Sequence, residues 1–201
     1  MSGPGECAPA FPTLVIIRGN SGSGKSTAAR EVRRRYGRGC ALVEQDQLRR
    51  VVLREHDIAA AEPVAPGFIA AVARAALDSG YHVVLEGILH AARYGTVLRR
   101  LAADHRGTVA VYYLDVPFAE TVRRHRERPE AGFTADDMRG WYTEHDVLGI
   151  PGEHIIGEES SLDRTVTTIL HSSGLAYASA LTPCPTRCPA CSRRGGEMTT
   201  R

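Results

Sequence analysis

Lysine is almost missing from this chain: of 25 basic side chains, Lys25 is the single lysine and the other 24 are arginine. A compositional drift from lysine to arginine, such as a GC-rich genome imposes, accounts for the scarcity. The drift cannot act evenly, because lysine is a compact point charge on a slim stem and a guanidinium does not replace it everywhere. Net charge is scarce as well, at +2 for the whole chain. No basic stripe with interleaved aromatics is present, which argues against a nucleic-acid-coating or membrane-surface role. Long apolar runs are lacking: the longest early one, Leu14 to Ile17, is too short for a signal-peptide core or a membrane span, so a cytoplasmic location is expected.

Cysteine is sparse and badly placed for a disulfide framework. Of the five, only Cys40 falls within a predicted element; Cys7 lies in a Pro/Gly-rich leader, and Cys184, Cys188 and Cys191 in a Pro-containing tail. The tail trio has a zinc-like rhythm, but a tetrahedral structural site wants four ligands and only three are local, so these thiols read as incidental.

What is present is an ordinary globular composition, 43% hydrophobic and 24% charged. Residues 1–12 read as a disordered leader and residues 176–201 as a disordered tail, leaving one domain over residues 13–175. Within it, short apolar runs at 13–18, 40–44, 81–86, 108–114 and, more weakly, 154–156 alternate with helix-length amphipathic stretches at 25–36, 47–55, 68–77, 91–104, 117–128, 134–145 and 161–171. The runs are continuously apolar rather than alternating, as strands buried on both faces of a parallel sheet are. The pattern predicts an α/β three-layer sandwich around five parallel strands.

The surviving lysine sits in Gly19-Asn20-Ser21-Gly22-Ser23-Gly24-Lys25-Ser26-Thr27, a complete phosphate-loop (Walker A) pattern between a predicted strand and a predicted helix. The glycines let backbone N–H groups turn inward around a polyphosphate, and the helix adds its N-terminal dipole. Lys25 is expected at the β- and γ-phosphates and the Ser26 hydroxyl on Mg²⁺.

Other residues speak to what the nucleotide is used for. Asp46 sits where the second strand gives way to a helix, a place from which it can serve as the general base for an acceptor hydroxyl, cap the helix that follows, or do both. Arg49, three residues on, can grip a phosphate or an anionic acceptor. Glu86, closing the apolar run Val83-Val84-Leu85, suits either a Mg²⁺ ligand or an acceptor-side role. Asp115 reads as the cap of the next helix. The cluster Arg123, Arg124, Arg126 and Arg128 precedes a breaker-rich segment, Pro129 to Gly132, so it reads either as a solvated helix face or as a closing lid whose arginines, Arg124 and Arg128 above all, stabilise the transferring phosphoryl group.

These motifs resemble the P-loop kinases of the nucleoside-monophosphate-kinase-like fold, and among them the polynucleotide 5′-hydroxyl kinase domain and its AAA-type ATP-binding relatives, which include chloramphenicol phosphotransferase and the zeta toxins. The matching residues are the loop Gly19 to Thr27, Asp46-Gln-Leu-Arg49, Asp115-Val-Pro117, the segment Val122 to Arg128 and Leu148-Gly-Ile-Pro151. The resemblance implies the strand order 2-3-1-4-5, Asp46 as general base, Arg49 at the acceptor-side phosphate and Arg128 as lid arginine. The segment Glu86-Gly87-Ile88-Leu89 departs from the polynucleotide-kinase pattern. The combined expectation is an ATP- and Mg²⁺-dependent phosphotransferase acting on a hydroxyl of a small molecule. A polynucleotide 5′-kinase and a non-catalytic nucleotide-binding protein are its rivals.

Overall fold

The structure is a computed structural model describing residues 11–56, 63–127 and 133–182. Five strands, β1 (Leu14–Gly19), β2 (Cys40–Glu44), β3 (His82–Gly87), β4 (Val109–Asp115) and β5 (His154–Gly157), form one parallel sheet in the order β2-β3-β1-β4-β5. Among the described residues six α-helices flank it: α1 (Lys25–Tyr36), α2 (Ala65–Asp78), α3 (Ala91–Asp104), α4 (Phe118–Arg126), α5 (Ala135–Trp141) and α6 (Leu162–Ser172). Both the three-layer architecture and the strand order agree with the sequence reading.

The continuous apolar strands are explained by two cores. Successive strand residues point to opposite faces, so Leu14, Ile16, Val83 and Leu85 pack with Ile69, Ala73, Leu98 and Leu101 of α2 and α3. Val15, Ile17, Val84 and Tyr112 pack on the other face with Ala28, Val32, Val166 and Ile169 of α1 and α6. The register places Glu44 opposite Glu86, and Ile17 opposite Glu86 on the other side. The strand ends that carry the phosphate loop, the Asp46 turn and Glu86 therefore meet at one edge, outside the carboxyl ends of the strands, where such sheets bind ligands.

Local departures from the sequence reading have visible causes. The stretch expected as a helix over 47–55 is a π-helical turn, Gln47–Val52, with Leu53 N–H bonded to Leu48 O at 2.9 Å. Helix α2 starts at Ala65, three residues before the expected Phe68, because the Glu55 carboxylate accepts from the amides of Val64 (3.1 Å) and Ala65 (3.0 Å). That cap comes from outside the helix, so local sequence does not reveal it. Thr134 does cap α5, in a reciprocal capping box with Asp137. The helix nevertheless ends at Trp141 rather than His145, because Asn20 of the phosphate loop holds both backbone groups of Thr143: Nδ2 donates to its carbonyl (2.8 Å) and Oδ1 accepts from its amide (3.1 Å). Asp115 does not cap α4. That helix begins at Phe118 behind Pro117 with no side-chain cap, and the Asp115 carboxylate lies 2.8 Å from His145 Nδ1 instead.

Past residue 175 the described chain still packs: a 3₁₀ turn, Leu175–Tyr177, leads to Ser179, whose carbonyl lies 3.2 Å from Nε2 of buried His82. Cys7, Cys184, Cys188, Cys191 and Arg128 lie outside the described residues. Among the described residues no helix is long and apolar enough to cross a membrane.

Candidate active site

The loop between β1 and α1 depends on glycine at two places in particular. Gly22 has φ +81°, and a Cβ there would meet the Thr121 carbonyl oxygen at 2.5 Å. Gly24 takes the left-handed conformation, φ +96°, immediately before α1 opens at Lys25. The turn aims the first amides of α1 at the space above the sheet edge. Lys25 Nζ lies 3.3 Å from the Asn20 carbonyl, folded back along the loop. Ser26 Oγ donates to Glu86 Oε2 at 3.0 Å. Glu86 is buried, and burial pushes its carboxyl pKa up; Lys25 and the Ser26 hydrogen bond pull the other way, while Glu44 and Asp46 add like-charge repulsion.

Asp46 projects from the C-terminal end of β2 with its side chain 65% exposed, 3.3 Å from Arg50 Nε and 3.7 Å from Arg49 Nη2. It makes no capping hydrogen bond to the turn it precedes, so the capping reading fails and its carboxylate faces the cleft. That cleft, of about 270 Å³, is lined by Lys25, Ser26, Glu44, Asp46, Arg50 and Glu86 among others. Residues that the sequence reading expects separately on the donor and acceptor sides line one cavity.

The arginine cluster divides. Arg123 is a solvated side chain engaged with Glu120 and Glu127. Arg124 instead reaches the phosphate loop: Nε donates to Glu120 (2.7 Å), Nη1 to the Ser23 carbonyl (3.1 Å) and Nη2 to the Glu158 carbonyl (3.1 Å). The solvated-face reading therefore holds for Arg123, while Arg124 is set apart by its contact with the phosphate loop.

Several residues near the site were missed. Arg18, fully buried at the end of β1, donates to the Leu89 carbonyl and to Asp146 (2.8 Å), with Glu153 at 3.4 Å. Asp146 also accepts from the Ala91 amide at 2.9 Å, capping α3. An arginine inside an apolar strand run was the available signal, since a buried charge requires partners. His90, Arg93, Tyr94 and Trp141 border a smaller cavity beside Asp46; they come from α3, its cap and α5, and their separation in the sequence gave no signal.

The sequence matches the model of a family described as "AAA domain" over residues 14–141, from β1 to the end of α5. The chain belongs to the AAA domain family. The span common to this AAA domain and the family holds the phosphate loop, Asp46, Glu86 and Arg124. No curated protein matches the sequence. Among solved structures the AAA domain fold is similar to that of Mycobacterium tuberculosis APS kinase in complex with AMPPNP and APS (TM-score 0.65, 21% identity, covering 85% of this chain and 100% of that one). It is also similar to a gluconokinase from Sinorhizobium meliloti 1021 (0.61, 18%, 83% and 94%) and to the Deinococcus radiodurans tunicamycin resistance protein (0.58, 16%, 86% and 99%). At these identities the likeness is one of fold, the α/β fold of P-loop kinases.

Proposed function

We propose that the protein transfers the γ-phosphoryl group of Mg·ATP to a hydroxyl of a small-molecule acceptor, a metabolite or an antibiotic. The observation that carries this reading is the shared cleft: Lys25 and Ser26, which address the donor phosphates, and Asp46, which addresses the acceptor, line one cavity with Glu86 between them in the sheet edge. A nucleotide switch needs no carboxylate across the cleft from its phosphate loop. The similarity in fold to an APS kinase, a sugar kinase and a gluconokinase supports a small-molecule acceptor.

The residues fit both groups. A loop with left-handed glycines and a lysine suits a polyphosphate. A serine hydroxyl 3.0 Å from a buried carboxylate whose proton affinity is raised by burial suits a divalent cation. Mg²⁺ takes few protein oxygens, so Ser26 and Glu86 would hold it with water and phosphate oxygens completing the shell. When bound it would neutralise charge on the donor phosphates. Lys25 would orient the β- and γ-phosphates. Asp46 would accept the proton of the acceptor hydroxyl as its oxygen forms the new P–O bond and the bond to the leaving ADP oxygen breaks. Arg124, already seated on the Ser23 carbonyl, would stabilise charge on the transferring group, with Arg128 as the second lid arginine.

Asp46→Asn tests the assignment. Turnover should fall by about 10²- to 10⁴-fold, the usual worth of a general base, while AMPPNP affinity and the melting temperature stay put. An Asn variant with wild-type turnover would remove Asp46 from the mechanism and leave Glu86 as the next candidate base. Wild-type protein that binds AMPPNP but releases no ADP with metabolites, antibiotics or 5′-hydroxyl oligonucleotides would instead be a non-catalytic nucleotide binder.

A further inference from the structure

The first and last described segments of the domain are joined by one imidazole. His82, buried at the start of β3, accepts from the Thr13 amide through Nδ1 at 2.9 Å, and its Nε2 lies 3.2 Å from the Ser179 carbonyl. A ring nitrogen that accepts carries no proton, so Nε2 holds it and donates to Ser179. Burial lowers the pKa of this histidine, which favours the neutral ring that the bridge requires. The residues next to the bridge are held as well. The Thr182 carbonyl accepts from Arg38 Nη1, and the Pro12 carbonyl lies 2.7 Å from His105 Nε2. Phe11 and Pro12 from one end and Leu181 from the other line a single cavity of about 460 Å³. It lies at the amino-terminal ends of β1, β3 and β4, away from the phosphate loop at the opposite ends of the strands.

Just outside these ends the sequence carries four of its five cysteines. Cys7 stands four residues before Phe11, and Cys184, Cys188 and Cys191 begin two residues after Thr182. All four lie outside the described residues, but the roots of both segments are fixed. Six residues run from Thr13 back to Cys7 and five from Ser179 on to Cys184. Fully extended, such tethers reach about 22 and 18 Å, so two that start on one imidazole can meet anywhere around the cavity. Their common root also keeps the effective concentration of one set of thiols near the other high.

By itself the tail offers three ligands where a closed tetrahedral site needs four. Its intervals, Cys184-x₃-Cys188 and Cys188-x₂-Cys191, both fall in the ligand spacing of structural zinc sites. What the tail lacks, the fold brings to it: a cysteine on the segment tied to the tail's root. Pro183, Pro185 and Pro189 reduce the conformational freedom lost on wrapping an ion. Four thiolates around a divalent cation leave net negative charge, and Arg187, Arg193 and Arg194 stand beside the ligands in the sequence to offset it. Other candidates for the fourth position are engaged elsewhere. His82 uses both ring nitrogens, His105 Nε2 sits on the Pro12 carbonyl, and His171 Nδ1 lies 2.8 Å from the Tyr177 hydroxyl. Cys40 is buried in β2, where burial pushes its thiol up to about 12, against the thiolate that a metal requires.

We infer that Cys7, Cys184, Cys188 and Cys191 together bind one Zn²⁺ in a closed tetrathiolate site that fastens the leader to the tail. The thiols release their protons on binding and no electron moves. Because the site stands at the far end of the strands from the phosphate loop, it holds the fold and takes no part in nucleotide binding.

Metal analysis of the full-length protein, expressed without a metal-affinity tag, tests this. Native mass spectrometry should find one zinc per chain. A thiol reagent should find no reactive cysteine in the native protein, four once a chelator is added, and Cys40 only on unfolding. Co²⁺ exchanged into the site should show the visible absorption of tetrahedral thiolate coordination. Cys7→Ser should weaken zinc by more than the about 10- to 100-fold that loss of an outer-shell partner costs. Chelation should lower the melting temperature of the wild type and leave that of Cys7→Ser in place, with AMPPNP affinity equal in the two proteins. His105→Ala and His171→Ala should keep the zinc. Metal-free wild type with four freely reactive thiols overturns the inference, as do disulfides among these cysteines or an iron–sulfur chromophore in place of colourless zinc. Zinc affinity unchanged in Cys7→Ser but lost in either histidine variant overturns the fourth ligand. If Cys7→Ser does not accumulate, Cys191→Ser gives the same comparison, and the metal content and thiol count of the wild type decide by themselves.

Discussion

A single side chain sets the donor site. Lys25 is the only ammonium on a side chain in the protein, and its neighbour across the loop is the Asn20 carbonyl. Lys25→Ala should abolish productive ATP binding while the fold persists, and Lys25→Arg should fail to restore it, because the planar guanidinium is too broad for a loop shaped around a slim stem. Calorimetric titration with AMPPNP checks both; undiminished affinity in the alanine variant would refute the phosphate-loop assignment. Glu86 yields a pH prediction. Its folded-state pKa is raised by burial, so folding is favoured while it is protonated, and that advantage is lost as pH climbs through the raised value. Glu86→Gln keeps an acceptor for Ser26 without the buried charge. In the absence of nucleotide it should melt higher than wild type at neutral pH, with the gap closing as pH falls below the ordinary glutamate range. The same variant should lose the Mg²⁺ dependence of AMPPNP binding. A melting temperature at or below wild type at pH 8 would contradict the raised pKa.

At the scale of elements, the segment after α5 is held by the phosphate loop rather than by its own sequence. Asn20→Ala would release the Thr143 amide and leave its carbonyl the Tyr113 hydroxyl at 3.4 Å, and hydrogen exchange at the Thr143 amide should lose its protection while that of β1 and β4 is retained. Unchanged exchange would mean that the segment is positioned by other contacts. The capping box of α5 can be separated from this. Thr134→Ala should cost about 1 kcal/mol, which for a chain of this size lowers the melting temperature by about 2–4 °C. AMPPNP affinity should not follow, since Thr134 is exposed and touches Asp137 rather than the cleft. The π-helical turn after Asp46 belongs to the same scale. Its i−5 hydrogen bond, Leu53 to Leu48, widens the turn, and Arg49 and Arg50 from that turn both reach the smaller cavity beside Asp46. Such widened turns cluster at functional sites.

At the scale of the whole molecule, Arg18 ties together parts of the chain that the sheet alone does not join. From the end of β1 it holds the Leu89 carbonyl, Asp146 and Glu153, and through Asp146 it reaches the N-terminus of α3. Arg18→Met would leave two buried or nearly buried carboxylates uncompensated, with side-chain exposures of 13% and 5%. The expected loss is about 3–5 kcal/mol in denaturant unfolding. A loss under about 1 kcal/mol would show that the cluster relaxes to water. Ligand linkage is the companion measurement: AMPPNP with Mg²⁺ at about 100 times its Kd should stabilise the wild type by about 2.7 kcal/mol, and Lys25→Ala hardly at all.

The chain's own order of residues determined the strand and helix alternation, the parallel sheet and the phosphate loop, because these rest on periodicity and on local turn chemistry within a few neighbouring residues. It also marked Asp46 and Glu86 as candidates, since Glu86 closes an apolar run, Asp46 follows one, and such sheets bind ligands outside their strand ends. Tertiary structure alone decided which residues stand together. That Asp46 is free of a capping role, that Asp115 meets His145, that α5 stops at Trp141 and that Arg49, Arg93 and Trp141 border one cavity all depend on contacts between segments distant in the sequence. Hydrophobic pattern fixes which face of an element is buried; the rotation and offset of one packed element against another, which bring single side chains into register, follow from the shapes of both cores at once and leave no period to read.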